Sequence, residues 1–271
     1  MKVTIIGCGN MGLIYARAFL KYNIVSKNEL LLVEKNEDRK EELKKLDIGK
    51  VVVPVDGKIS ESDVIILSVK PQDFIQLTSD LKKVLNSNTI VVSIMAGISM
   101  DFLSEKLQHD RIIRAMPNSP VEIGMGITAY CLSKGVNAEQ SRTVENLLGT
   151  TGRTLYMEDE SMLNAVTAIS GSGPAYFFYF AQQLIEAGKK MGFDEGTASL
   201  LVKQTMLGSF HLLNGSGKPL NELIKTVASK GGTTEAALNT FEKHEVGKHL
   251  QEGLLNAERR GKELAEMASM I

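Results

Sequence analysis

The amino-acid sequence predicts an α/β chain in two parts: a mainly parallel sheet wrapped by helices over residues 1–160, then an all-α remainder over 161–271. Three observations support this. Short β-branched runs alternate with segments of helical spacing as far as Met157, the pattern of βαβ units whose sheet is covered on both faces. After Asp159 those runs stop and helical punctuation takes over. A glycine-rich turn joins the first strand to the first helix, and another, within VASKGGTTEAAL (227–238), opens a helix near the C-terminus.

The strands are KVTIIG (2–7), LLLVEK (30–35), KVVVPV (50–55), VIILSV (64–69), TIVVSI (89–94), RIIRAM (111–116), ITAYCL (127–132) and RTLYM (153–157). Segments such as DFIQLTSDLKKVL separate them, with apolar residues recurring at helical spacing. Pro71 suits the first turn of the helix after VIILSV. Asn137 with Gln140 forms a capping box for AEQSRTVENLL, which Gly149 and Gly152 close. In the second part Pro174 and Pro219 fit helix starts, Asp194 an N-cap, and Gly192 and Gly215 helix ends. The run AYFFYFAQQLI (175–185) is apolar nearly all round, so its helix must be covered on more than one side. A helical domain of about 110 residues struggles to do that alone, which predicts an intimate homodimer whose partner completes this core.

Composition narrows the partners. With 43% hydrophobic residues in 271 the chain can bury a sizeable core. Its 31 basic and 32 acidic residues leave a net charge of −1, no field to attract a polyanion, so the expected partner is a small molecule, with no nucleic acid and no membrane. The stretch 161–185 carries no charge, yet Asn164, Thr167, a central Gly-Ser-Gly-Pro and two glutamines make it buried helices rather than a membrane span. The apolar run at the N-terminus is interrupted by glycine and shorter than the ~7–15 residues of a signal-peptide core, so it reads as a first strand. Cys8 and Cys131 have no CxxC spacing, which argues against disulfides and thiolate metal sites and for a reducing, cytoplasmic setting. Cys8 reads as a small side chain where bulk would clash. His109, His211, His244 and His249 lack metal-ligand spacing, and no metal is expected.

In KVTIIGCGNMGLIYARAFL a strand leads into Gly7-x-Gly9-Asn10-Met11-Gly12 and a helix. The first glycine permits the tight turn, the second lets a pyrophosphate approach the backbone, and the third lets helix and strand pack closely. The second strand ends in Glu34, about 20 residues on, where a carboxylate binds the adenosine ribose hydroxyls. Strand, loop, helix and acidic residue together predict a Rossmann-type doubly wound domain for an NAD-type dinucleotide. Glu34 repels the 2′-phosphate of NADP and leans the cofactor toward NADH, whereas Lys35 and Arg39 would draw that phosphate if Glu34 turned away. NADH and NADPH both stay open.

GCGNMG, SVKPQ, RAMPNSP, SGSGPAY and SKGGTT occur in that order, and with them the chain resembles the pyrroline-5-carboxylate reductases, the family that makes proline. The match runs nearly end to end, and PLNELIKTVASKGGTTEAALNTFE fits the family's C-terminal signature. The resemblance implies that Ser229, Lys230, Gly231, Gly232, Thr233 and Thr234 hold the substrate, the N–H groups of Gly231, Gly232 and Thr233 meeting its carboxylate. Lys230 stands where many members carry proline and adds positive charge. Thr234 matches the threonine whose hydroxyl contacts the ring nitrogen, and is the candidate catalytic residue. The two glycine-rich helix starts then hold two anions, cofactor pyrophosphate and substrate carboxylate. Ser68, Val69, Lys70 and Pro71, with Met95, Ala96 and Gly97, are implied to line the nicotinamide end, and Met116, Pro117 and Asn118 to lie beside them. Each of these stretches also reads as an ordinary strand-to-helix turn, and SGSGPAY (170–176) as a helix start packed against a partner chain. The implied active site lies between the nucleotide domain of one subunit and the helical domain at the dimer interface. Assembly of dimers into decamers, as in some relatives, stays open.

Competing readings are weaker. A β-hydroxyacid dehydrogenase needs a lysine acid/base soon after its glycine-rich turn, but no lysine follows Gly173 until Lys189. A ketol-acid reductoisomerase needs paired carboxylates for Mg²⁺, and the charge-free 161–185 has none. A related imine reductase remains an alternative. So does a non-catalytic dinucleotide sensor, although a sensor has no need of a second anion pocket.

Overall fold

The computed structural model describes residues 1–53 and 56–269. Every predicted strand forms: β1 (Val3–Ile6), β2 (Leu30–Val33), β3 (Lys50–Val52), β4 (Val64–Leu67), β5 (Ile90–Ser93), β6 (Ile112–Met116), β7 (Gly126–Leu132) and β8 (Gly152–Tyr156). Pro54 and Val55, the end of the predicted third strand, lie outside the described residues. The strands make one sheet in the order β3-β2-β1-β4-β5-β6-β7-β8. All neighbours run parallel except β6 and β7, which pair antiparallel. Only a short 3₁₀ turn, Ser119–Ile123, joins those two, and a parallel return would need a crossover of a dozen or more residues.

Period-2 alternation explains how the sheet is covered. Val3, Ile5, Leu30, Leu32, Val64 and Ile66 face one way and pack with Tyr15 and Phe19 of α1 (Asn10–Lys21), Leu43 of α2 (Glu37–Leu46) and residues of α5 (Ala138–Gly149). Ile6, Leu31, Val33, Ile65 and Leu67 face the other way, against α3 (Pro71–Val84) and α4 (Met100–Leu107). Each such leucine or phenylalanine contributes roughly 1.5–3 kcal/mol on burial. The one polar insertion among these strand positions, Thr4, is satisfied by Ser62, Oγ1 to Oγ at 2.7 Å. Caps follow the sequence: Pro71 opens α3, and Asn137 and Gln140 form their reciprocal box on α5.

Contacts divide the chain into two compact units, Met1–Ser172 with the stretch from Ala257 onward, and Gly173–Asn256. The first unit ends its sheet region in α6 (Met162–Val166) and a wide π-type turn, Thr167–Gly171, closed by the Ser172 N–H on the Thr167 carbonyl at 2.9 Å. The second holds α7 (Gly173–Lys190), α8 (Glu195–Ser216), α9 (Leu220–Val227) and α10 (Thr233–Lys243), and α11 (Val246–Ser269) begins in it. Pro174, Pro219 and Asp194 stand at helix starts, and Gly192, with φ +101°, follows α7. Gly215 does not end α8. The helix continues to Ser216, because the residue that adopts the left-handed geometry is Gly217, at φ +63°.

Among the described residues of the second unit only Gly173 and Ala198 are buried, the latter where Gly188 lets α7 approach α8. Phe178, Tyr179, Leu200 and Leu212 are 60–71% exposed, so within one chain the apolar surface of these helices is left uncovered. None of the described helices is long and apolar enough to cross a membrane.

Candidate active site

The parallel strands β1, β2, β4, β5 and β6 end at one edge of the sheet, and every predicted cofactor residue lies at or just beyond one of those ends. Strand order reverses between β1 and β4, where doubly wound sheets open a crevice for ligands. A cleft of about 290 Å³ lies there, lined by Gly7, Gly9, Glu34, Lys35, Ser68, Val69, Lys70, Asp73, Gln76 and Leu77 among others. Asp73, Gln76 and Leu77 were not singled out from sequence. They belong to the first turns of α3, where an acidic residue reads as complementing the helix dipole.

The glycine loop divides its tasks. Gly7 has φ +91°, and a Cβ there would lie 2.5 Å from the Ser68 carbonyl oxygen. A Cβ on Gly12 would lie 2.2 Å from the Gly7 carbonyl oxygen, so the third glycine sets the approach of α1 to its own turn. Beside Gly9 there is open space, with no atom within 4 Å of a Cβ built on it. Gly9 is the N-cap of α1, no side chain caps that end, and its first turn holds no acidic residue. The N–H groups of Asn10, Met11 and Gly12 are therefore free of helical carbonyls at the positive end of a dipole, with room in front: a cradle that fits the pyrophosphate of a dinucleotide.

Glu34 is fastened to this loop. Its Oε2 accepts the Cys8 N–H at 3.0 Å, and its Oε1 accepts those of Lys35 and Asn36 at 2.8 and 3.0 Å. Arg39 holds the other side of the same peptide, its Nε donating to the Cys8 carbonyl at 3.1 Å, and its Nη1 pairs with Glu42 at 2.6 Å. Lys35 pairs with Asp73, 2.6 Å away. The Cys8 side chain is fully buried, and desolvation, with the Glu34 charge nearby, pushes its thiol up to about 12.

Toward the predicted nicotinamide end, Pro71 opens α3 with Lys70 as its N-cap. The Met95 side chain is buried in the core with Ile98 and Phe102, so of Met95-Ala96-Gly97 it is backbone, Ala96 and Gly97 that can border a ligand. Gly97 has φ +75°, and a Cβ there would come within 3.5 Å of the backbone at Leu264 and Ala265 of α11, in the same unit. Met116 ends β6 and lies against Gly171, where a Cβ would be 2.7 Å from the Met116 methyl. A side chain at Gly171 would therefore displace the flexible end of Met116 beside the site. Asn118 turns its Oδ1 to the Ile127 N–H at 2.9 Å, a structural bond at the start of the 3₁₀ turn.

The predicted substrate turn belongs to the second unit. Gly231 adopts φ +74° and Gly232 is the N-cap of α10, so the glycine pair forms the helix entrance that the sequence implies. Two of its donors are engaged within the chain: Gly232 N–H on the Ser229 carbonyl at 3.0 Å, and Gly231 N–H on Glu235 Oε2 at 2.7 Å. The N–H groups of Thr233 and Thr234, first and second residues of α10, have no helical carbonyl to reach. Thr234 also lines an apolar cavity of about 550 Å³ with Leu223, Ile224, Val227 and Leu238. Glu235 was not foreseen, since a glutamate in a first helical turn is unremarkable until its oxygen is seen on a glycine amide.

Comparison with known proteins agrees with this layout. Residues 160–264 match the family model "Pyrroline-5-carboxylate reductase dimerisation", and residues 2–97 match "NADP oxidoreductase coenzyme F420-dependent". The chain is 35% identical to a pyrroline-5-carboxylate reductase of Arabidopsis thaliana over 98% of its own length and 96% of the relative's. It superposes on the pyrroline carboxylate reductase of Plasmodium falciparum, solved with NADP bound, with a TM-score of 0.87 at 27% identity, covering 98% of each chain. On a pyrroline-5-carboxylate reductase of Coxiella burnetii the TM-score is 0.88 at 28% identity, covering 97% of this chain and 98% of that one. The glycine cradle, the Gly-Gly-Thr-Thr helix start and a full-length likeness to relatives of one kind lead to one assignment: the chain belongs to the pyrroline-5-carboxylate reductase family.

Proposed function

We propose that this chain reduces the C=N bond of 1-pyrroline-5-carboxylate at the expense of NAD(P)H, giving L-proline, the last step of proline biosynthesis. The observation that carries the reading is that the family likeness spans both the dinucleotide cradle and the Ser229–Thr234 turn. NAD(P)H, when bound, supplies the hydride. The N–H groups at the start of α1 bind its pyrophosphate, and Glu34 meets the adenosine ribose, which favours NADH.

In the second unit the amides of Thr233 and Thr234 bind the substrate carboxylate, with Glu235 yielding the Gly231 N–H to it and Lys230 adding charge. The Thr234 hydroxyl oxygen accepts the N–H of the protonated ring nitrogen and fixes which face of the C=N bond is presented. Solvent protonates that nitrogen before reduction, so no buried general base is needed. Orientation is then the main contribution, up to ~7–11 kcal/mol in well-aligned systems.

The enzyme is a cytoplasmic homodimer in this reading, with the functional division near Glu160, and the exposed apolar side chains of α7 and α8 support partner coverage. The mass of the native assembly in solution tests the dimer and separates it from a decamer. The activity is tested by initial rates of NADH and NADPH oxidation with pyrroline-5-carboxylate, beside pyrroline-2-carboxylate, and with a 3-hydroxyacid in the reverse direction. Fast turnover of pyrroline-5-carboxylate alone is expected. Tight dinucleotide binding without turnover would instead favour another imine substrate or a sensor.

A further inference from the structure

The cleft between β1 and β4 carries more charge than its glycine loop requires. Glu34, Lys35, Lys70 and Asp73 all line it. Lys35 follows β2 and Asp73 sits in the first turn of α3, and the two meet at 2.6 Å with side chains 70% and 21% exposed. Glu34 holds three backbone amides, so its carboxylate is fixed beside the loop. Arg39 is turned to the Cys8 carbonyl and Glu42, away from the role of an anion ligand.

A 2′-phosphate differs from a ribose hydroxyl by nearly two negative charges and asks for unengaged cationic donors. In this cleft the lysine next to Glu34 already has a carboxylate partner.

We propose that Asp73 is a specificity-determining residue: by pairing with Lys35 it withholds that ammonium from a 2′-phosphate and adds its own repulsion, so that the cleft selects the dinucleotide with a free ribose 2′-hydroxyl. This rests on the assignment of the cleft to the adenosine end of the cofactor. Asp73 then acts with Glu34, one carboxylate fixed by backbone amides and the other by a lysine. Because Asp73 lies on α3 and Lys35 beyond β2, the selectivity depends on how those two elements are brought together, and it is absent from the glycine motif itself.

The test compares wild type, Asp73→Asn, Lys35→Ala and the double variant, reading the ratio of kcat/KM for NADPH to that for NADH, with direct titration of both dinucleotides. Asp73→Asn keeps the size of the side chain and the helix start while removing one charge. It is expected to raise the ratio about five- to tenfold, a change of order 1 kcal/mol suited to a half-exposed charge pair, carried by a lower KM for NADPH. Lys35→Ala is expected to lower the ratio, since Asp73 then faces the phosphate unopposed, and the double variant to return close to wild type. A ratio unchanged within twofold in Asp73→Asn, with both dinucleotides still binding, overturns the inference. A double variant that keeps the whole gain overturns the part given to Lys35. If wild type binds neither dinucleotide, the assignment of the cleft fails and the inference with it.

Discussion

Arg114 and Glu160 are joined at 2.9 Å, Nη1 to Oε1, with side chains only 6% and 23% exposed. The same carboxylate oxygen accepts the Met100 N–H at 2.8 Å, at the first residue of α4. One side chain thus ties the end of the sheet region to β6 and to the helix that follows the Met95–Gly97 turn. Removing it strands a buried guanidinium. Glu160→Ala is expected to cost about 2–4 kcal/mol, somewhat below the usual range for a buried pair because the glutamate is partly hydrated. Urea denaturation would measure this, and a Glu160→Met/Arg114→Met double variant should lose less than Glu160→Ala alone.

The glycines of the first loop should separate into two kinds. Gly12→Ala forces a methyl to 2.2 Å from a carbonyl oxygen and should lower stability by about 2 kcal/mol or more. Gly9→Ala meets nothing within 4 Å at a backbone conformation any residue adopts, so its melting temperature should stay near wild type. Its dinucleotide affinity should nevertheless fall at least tenfold, because the methyl enters the space left for the pyrophosphate. Thermal melts with and without cofactor read both effects.

Glu34 anchors the loop through three backbone amides, and in the proposed reading it also selects the cofactor. Glu34→Ala should move the NADPH to NADH ratio of kcat/KM toward NADPH by about tenfold, as the repulsion of a 2′-phosphate is lost. It should also cost about 1–2 kcal/mol of stability, since the amides of Cys8, Lys35 and Asn36 lose their acceptor. A stability loss with no movement of the ratio would leave Glu34 as a loop anchor alone.

Thr234→Ala should lower kcat/KM about tenfold or more, the scale of one hydrogen bond to a reacting ring, while dinucleotide affinity stays nearly unchanged. Thr234→Ser should recover most of the loss. Weakened NADH binding in the alanine variant would contradict the assignment of this turn to the substrate.

Both thiols should be silent in the native protein. Cys8 and Cys131 are fully buried, and desolvation raises them from 9.0 to about 12 and about 11 respectively. A thiol reagent at pH 8 should find neither cysteine until denaturant is added, when both react. Since the folded state holds these protons more tightly than the unfolded chain, their contribution to stability is complete below pH 9 and declines as pH rises toward 11 to 12. Alkaline unfolding of wild type against Cys8→Ser measures the Cys8 share.

What the sequence determined by itself is local. A β-branched run marks a strand, a glycine at positive φ marks a turn, and Asn137 with Gln140 marks a helix start, because each signal acts over a few residues of backbone. The strands, the cradle at Gly7–Gly12 and the helix entrance at Gly231–Thr234 were legible for that reason, and the order of motifs disclosed the family. Tertiary structure decided which distant groups meet. Lys35 finds Asp73 only because α3 follows β4 and β4 lies beside β1, and Arg114 finds Glu160 only because the chain returns to β6. Met95 turns into the core and Glu235 onto Gly231 through local geometry that composition leaves open. A charged or flexible side chain has many partners of nearly equal energy in sequence, and the packing of the sheet and its helices selects one.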